Sequence, residues 1–360
     1  RGIRPSLPSK PSAGIEPGIA ISGAFFCMGL QQSEWCGHPR GLPVLFSTEL
    51  WERFSFYGMK ALLVLYLTSG ALHEERFSNV IGSGLVTSIF GQPSEGLADA
   101  VSGEDTPQWR AEEQALASQL NEWYSGMAYL TPLLGGVLAD RVLGARASVV
   151  IGGSLMAVGH ACMASERYFL VGLLLLVFGN GGFKPNISAQ LGALYEPTEM
   201  RGKRDRGFAI FYVGINLGAL LAPLVCGSLR QAAGFHAGFA AAAGGMVLGL
   251  AIFLLGLPLL PLPPPKPPPE SSPCCFLDGE VSEARRELLC RSAALFGVSS
   301  LVIPFWVAYD QHSNTLPLFF RDLTDRSVLG FTVPPEWMQV GVGRVEERGR
   351  VDEWGGVRSG

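Results

Sequence analysis

The chain has 360 residues, of which 48% are hydrophobic and 16% charged, against about 25% charged in an average soluble domain. That deficit excludes an ordinary soluble domain and points to lipid as solvent. A net charge of −4 gives no basic surface for nucleic acid.

Residues 1–41 read as an N-terminal extension, cytoplasmic or processed. The sequence opens on Arg1 rather than Met, so its start is read as incomplete. Gly18 to Leu30 is apolar but shorter than the ~20 residues that a bilayer crossing needs. Seven later segments are long and apolar enough: Leu42 to Ser69, Leu116 to Ala139, Val149 to Ser165, Phe169 to Leu194, Phe208 to Leu229, Ala237 to Leu260 and Ser292 to Phe320. The 46 glycines fit tightly packed helices in lipid, where small residues let backbones approach.

Basic residues in the short loops set an orientation. Arg1, Arg4, Lys10 and Arg40 precede the first span, Arg141 and Arg146 follow the second, and Arg201, Lys203, Arg204 and Arg206 follow the fourth. The opposite loops carry only Arg167 and Arg230, and the long first loop is acidic from Glu74 to Glu113. The N-terminus is expected to be cytoplasmic.

Residues 42–260 then form a six-helix transmembrane bundle. Residues 261–290 form a cytoplasmic linker opening on the stiff Pro-rich run from Pro261 to Pro269. Residues 291–320 hold a seventh helix, and residues 321–360 a non-membrane tail, foreign to the fold from about residue 340. Six spans, a linker and a further span is the plan of a transporter built from two six-helix bundles.

Seven scattered cysteines (Cys27, Cys36, Cys162, Cys226, Cys274, Cys275 and Cys290) form no CxxC pair, so buried thiols are the expectation. No metal cluster, nucleophile triad or cofactor loop is present, which excludes an enzyme reading.

The first span, STELWERFSFYGMKALLVLYL, carries Glu49, Glu52, Arg53 and Lys60. A charge at the middle of a membrane helix costs roughly 2.5–3.5 kcal/mol and marks an ion or substrate path. At the helical period Glu49, Glu52, Arg53, Phe56 and Lys60 share an arc of about 100°, with Tyr57 beside it. Leu50, Leu62, Val64 and Leu65 lie opposite, suited to lipid or to neighbouring helices. Glu49 and Arg53 are an i,i+4 pair and Glu52 adjoins Arg53, so one cation can serve two carboxylates. The alternative is that these charges lie near the cytoplasmic end and snorkel.

Lys184 lies within the apolar fourth span in GNGGFKPNISAQLGALY, and the following Pro185 excludes a nucleotide loop. Asn216, in FAIFYVGINLGALLAPL, is either interhelical glue or a cavity residue. Tyr129, in YSGMAYLTP, suits a pocket or a plain helix interface. FWVAYDQHSNTLPLF in the last span places Asp310 in the membrane with His312 near its helix end.

These stretches together resemble the proton-dependent oligopeptide transporter family of the major facilitator superfamily. Glu49 to Gly58 is similar to the family's ExxERFxYYG motif, departing at Phe56. Lys60 stands where many members have arginine. GVLADRVLGAR, from Gly136 to Arg146, is similar to the superfamily's second-to-third loop. The fifth span resembles FYxxINxGSL, and the last resembles FWxxxEQ with aspartate for glutamate. The resemblance runs from about Leu42 to Gln339.

It implies an all-α membrane protein with the major facilitator fold, a complete N-terminal bundle and the first helix of the second, truncated after the seventh helix. The implied activity is symport of protons with di- and tripeptides across the plasma or an organellar membrane, with no cofactor beyond the coupling proton. Implied proton-coupling residues are Glu49, Glu52, Arg53 and Asp310. Arg53, Tyr57, Lys60, Tyr129, Lys184 and Asn216 would bind substrate, and Asp140, Arg141 and Arg146 would gate. The alternatives are an amino-acid or nitrate-like anion carrier on the same fold, and a truncated membrane protein that does not transport.

Overall fold

A computed structural model describes residues 34–72, 74–91, 107–261, 279–328 and 330–340. The segment Gly18 to Leu30, part of the acidic first loop, nearly all of the Pro-rich run, Cys27, Cys274, Cys275 and the stretch after residue 340 lie outside them. After a two-residue hairpin, β1 (Glu34–Trp35) with β2 (His38–Pro39), the chain is helical: α1 (Gly41–Tyr66), the short α2 (Glu74–Phe77) and α3 (Ser83–Phe90), then α4 (Pro107–Leu138), α5 (Ala145–Met163), α6 (Phe169–Leu194), α7 (Arg204–Ala233) and α8 (Phe235–Gly256). Beyond the linker come α9 (Gly279–Leu301), α10 (Ile303–Asp310), α11 (Thr315–Leu323), a second hairpin of β3 (Ser327–Val328) with β4 (Phe331–Thr332), and a 3-10 turn over Pro335–Val340.

The six long helices match the first six apolar segments, and the physics is the same for each: in lipid every backbone polar group must be satisfied within the segment. Pro132, Pro185 and Pro223 lie inside α4, α6 and α7 without ending them. α4 begins nine positions before the predicted span, so Glu112 and Glu113 belong to a helix rather than to the loop. Glu113 is buried, and its carboxylate accepts from the Gly70 amide at 3.2 Å where the end of α1 unwinds.

Four described helices cross a membrane on length and apolarity alone: α5, the α6 and α7 segments, and α8. α1 carries four charges and α4 is polar along its first half, which is where the functional groups gather. The predicted seventh span is not one helix. It begins at Gly279, inside the predicted linker, and breaks between α9 and α10 with a bend of 41°. Pro304 in the first turn of α10 lacks the amide that would continue the helix, and Pro317 opens α11 in the same way.

α1 is the axis of the bundle. It packs against α7 and α8 along its length, while α5 joins α6 and α8, and α4 lies on α6. Leu62, Met59 and Leu63 are as buried as Glu52 and Arg53, so the apolar arc faces helices rather than lipid. Small residues make the contacts close. A Cβ on Gly152 would come 2.6 Å from the Gly179 carbonyl oxygen, and one on Gly172 2.6 Å from that of Gly159, so α5 and α6 touch backbone to backbone at two levels. Polar side chains reinforce the bundle: Ser55 Oγ donates to the Ala242 carbonyl at 2.5 Å and Asn180 Nδ2 to that of Ala128 at 2.6 Å.

Residues 321–340 are part of this fold rather than a tail. Glu336 is fully buried and pairs with Arg230 at the end of α7, with Nε–Oε1 at 2.6 Å and Nη2–Oε2 at 2.8 Å. Trp337 Nε1 donates to the Leu224 carbonyl at 3.1 Å. Of the described cysteines only Cys226 is buried, against Gly58; Cys36 and Cys290 are exposed and Cys162 half-buried, contrary to the expectation of buried thiols.

Candidate functional site

The helical period of α1 brings Glu49, Glu52 and Arg53 together as the sequence predicts. Arg53 donates through Nε and Nη2 to both oxygens of Glu52, the Nη2–Oε1 bond measuring 2.7 Å. Its Nε also lies 3.1 Å from Glu49 Oε1. All three side chains are buried, which rules out snorkelling. The Arg53 guanidinium also sits over the Phe56 ring, 5.1 Å from its centroid. One fork thus holds Glu52 by two bonds and Glu49 by one. Glu49 Oε2 is buried without a hydrogen-bond partner among the described residues.

Lys184 reaches this trio from α6, within electrostatic range of Glu49, Glu52 and Arg53. Its ammonium lies over the Tyr129 ring of α4, 4.8 Å from the centroid. Tyr57, half-buried beside the trio, lies in the field of Arg53, Glu52, Tyr129 and Tyr309. Three helices of the bundle and α10 therefore converge on one polar centre.

Asn216 stands apart. It is exposed on α7 and donates to the Tyr212 carbonyl of its own helix at 2.9 Å, and among the described residues it bonds no neighbouring helix. Arg146 donates to the carbonyls of Leu260 and Pro261, the second at 3.0 Å, tying α5 to the end of the bundle's last helix. Asp140 and Arg141 are exposed at the end of α4.

A second centre lies two turns along α1. Lys60 Nζ meets Asp310 Oδ1 at 2.6 Å, and both side chains are largely withdrawn from solvent. Sequence reasoning picked both residues but not their pairing, which joins positions 250 apart. Around them lies a network that the sequence reading missed. Asn314 Nδ2 donates to Glu122 Oε1 at 2.9 Å, and Ser118 Oγ to Asn314 Oδ1 at 3.1 Å. The signal was available in Glu122, a carboxylate inside the second predicted span and one helical turn from Ser118. His312 stacks on Tyr309 at 6.0 Å between centroids.

Comparison with known proteins places the chain in a family. Residues 146–277 match the model of the POT family. The chain is 39% identical over 239 residues to the uncharacterized transporter YclF of Bacillus subtilis, covering 66% of the chain and 41% of that protein. It is also 39% identical over 223 residues to a di-/tripeptide transporter of Lactococcus lactis subsp. cremoris, covering 61% of the chain and 38% of that relative. The chain thus spans about two fifths of the length of these curated relatives. Among solved structures, peptide transporter POT in complex with sulfate superposes with a TM-score of 0.60 at 28% identity, covering 88% of this chain and 68% of that one. A mutant of the same transporter bound to alafosfalin superposes with a TM-score of 0.59 at 30% identity, covering 88% and 67%. The two structural likenesses each cover 88% of the chain. The chain is a multi-pass membrane protein of the major facilitator fold, and it belongs to the POT family.

Proposed function

We propose that the chain serves proton-coupled symport of di- and tripeptides by alternating access. The observation that carries this reading is the buried trio of Glu49, Glu52 and Arg53 with Lys184 beside it. With both carboxylates ionised, the four groups sum to zero charge. Arg53 satisfies Glu52 fully and Glu49 only in part. A buried carboxylate oxygen without a donor is costly, so Glu49 gains most from a proton. Protonating Glu49 leaves one net positive charge, which a peptide's terminal carboxylate then neutralises. Proton and peptide enter together because either alone leaves buried charge uncompensated.

Lys184 and Arg53 are the carboxylate's partners in this scheme, with Tyr57 and Tyr129 lining its approach and exposed Asn216 offering an amide to the peptide backbone. Lys60 is engaged by Asp310 in this conformation and meets substrate only after that pair separates. Asp310 is the second proton-coupling acid. Asp140, Arg141 and Arg146 gate the cytoplasmic end, where Arg146 already braces the last helix of the bundle. The basic loops place the N-terminus in the cytoplasm, and the membrane is the plasma membrane or that of an organelle. The description of the Lactococcus relative as a di-/tripeptide transporter supports peptides over amino acids or inorganic anions as cargo.

Binding of radiolabelled dialanine to the protein in nanodiscs tests the assignment. A hydrogen bond to a charged group is worth roughly 1.5–3 kcal/mol. Lys184→Gln is therefore expected to weaken binding roughly tenfold to a hundredfold, while the carboxamide of dialanine binds wild type and variant with equal weakness. Unchanged affinity in the variant overturns the role of Lys184.

A further inference from the structure

We infer that the cytoplasmic end of the α6–α7 hairpin holds a second peptide site, taking the carboxylate of a di- or tripeptide on Arg204 and its amino group on Glu196. This deepens the proposed symport, on which it rests, by giving the cargo a station between Lys184 and the cytoplasm.

Ser188 follows Lys184 by one helical turn on the same face of α6, and it is exposed. A cavity of about 540 Å³ opens there, lined among others by Ser188, Gly192, Tyr195, Glu196, Arg201 and Arg204. That volume falls in the range of roughly 300–1,000 Å³ usual for small-molecule sites. Tyr195 gives it a fixed wall. The ring is buried, its hydroxyl lies 2.8 Å from His38 Nδ1 of the first hairpin, and Gly207 of α7 carries no side chain to collide with it. Arg201 Nε donates to the Glu196 carbonyl at 3.0 Å, which holds the turn between the two helices.

Arg204 is laid across α6. Its Nη2 lies 3.6 Å from where a Cβ on Gly192 would stand, and its guanidinium sits over the Phe208 ring, 5.7 Å from the centroid. Gly192 is two turns beyond Lys184, roughly 12 Å along the axis. Among the described residues Arg204 meets no carboxylate and the Glu196 side chain meets no cation. Orientation in the membrane asks only for positive charge in this loop; it does not ask for a planar fork beside a cavity with an acid on the rim. Two unlike charges left without partners at one cavity suit a zwitterion, whose carboxylate the fork can grip by two bonds. Charges this exposed hold their partners weakly, which fits a station on the way out rather than a place of retention.

Photolabelling of the protein in lipid nanodiscs with alanyl-photoleucine, a diazirine dipeptide, followed by mass-spectrometric mapping, tests this directly. Adducts are expected in the stretch from Ser188 to Ala193 as well as around Tyr129, both competed by dialanine. R204Q is expected to lower the first set about tenfold and spare the second, with R204K intermediate. The carboxamide of the probe should lose the first set in wild type, which carries the test should R204Q not fold. Competed adducts around Tyr129 alone overturn the second site and leave the symport reading standing, whereas no competed adducts anywhere overturn both. Adducts between Ser188 and Ala193 that are indifferent to R204Q and to amidation overturn the carboxylate assignment.

Discussion

Arg53 divides its guanidinium unequally between two acids of its own helix, and in the proposed symport that division makes Glu49 the responsive one. The planar fork can do this because its donors are fixed relative to one another; an ammonium is a point charge. Arg53→Lys is expected to keep the net charge yet cut acid-driven dipeptide uptake at least tenfold, with the variant still reaching the membrane in wild-type amount. Uptake at wild-type level would show that charge alone suffices. This trio was legible in the sequence because all three residues lie within one helical turn, where the 3.6-residue period fixes neighbours. Lys60 with Asp310 was legible only as two separate charges in lipid. Their pairing depends on how α10 meets α1, and no local rule reaches across 250 positions. Glu122 was passed over for the same reason: its partner Asn314 comes from beyond the linker.

At the scale of elements, glycines set how near the helices come. Gly152 and Gly159 on α5 face Gly179 and Gly172 on α6, spaced seven residues apart on each helix, so the contact repeats after two turns. A Cβ at Gly152 would meet the Gly179 carbonyl oxygen at 2.6 Å and the Phe183 amide nitrogen at 2.7 Å, both of them backbone that cannot rotate away. Gly152→Val is therefore expected to cost about 1–3 kcal/mol or more through forced separation. It should appear as a lower unfolding temperature and less monodisperse protein in detergent; a wild-type melting curve would mean that the two helices do not touch. The six spans were legible because a long apolar run survives in each, even where α1 carries charges and α4 is polar along its first half. The seventh was misread as continuous because Pro304 and Pro317 interrupt an apolar stretch without changing its hydropathy. How residues 321–340 pack was not legible because what ties the segment down, Glu336 on Arg230 and Trp337 on the Leu224 carbonyl, is tertiary.

For the whole molecule, the two charge centres have a common logic. Each sets a cation of α1 against acids, Arg53 against Glu49 and Glu52, and Lys60 against Asp310. The lower centre lies inside the bundle, while the upper one joins it to α10, together with Arg321 Nη1 donating to Thr68 Oγ1 at 2.8 Å and Arg230 clasping Glu336. Family and fold were readable from motifs because Glu49 to Gly58, Lys184 and Asp310 keep their order, with Phe56 and Asp310 as the departures. The cross-contacts of α10 and the segment after it were not, since they pair residues far apart in the chain.

The most direct test of the central claim is uptake of labelled dialanine into proteoliposomes holding this protein, with an inward proton gradient imposed across the membrane. The account predicts accumulation that collapses when a protonophore dissipates the gradient and that is lost in Glu49→Gln. Accumulation indifferent to the gradient, or undiminished in Glu49→Gln, would contradict it.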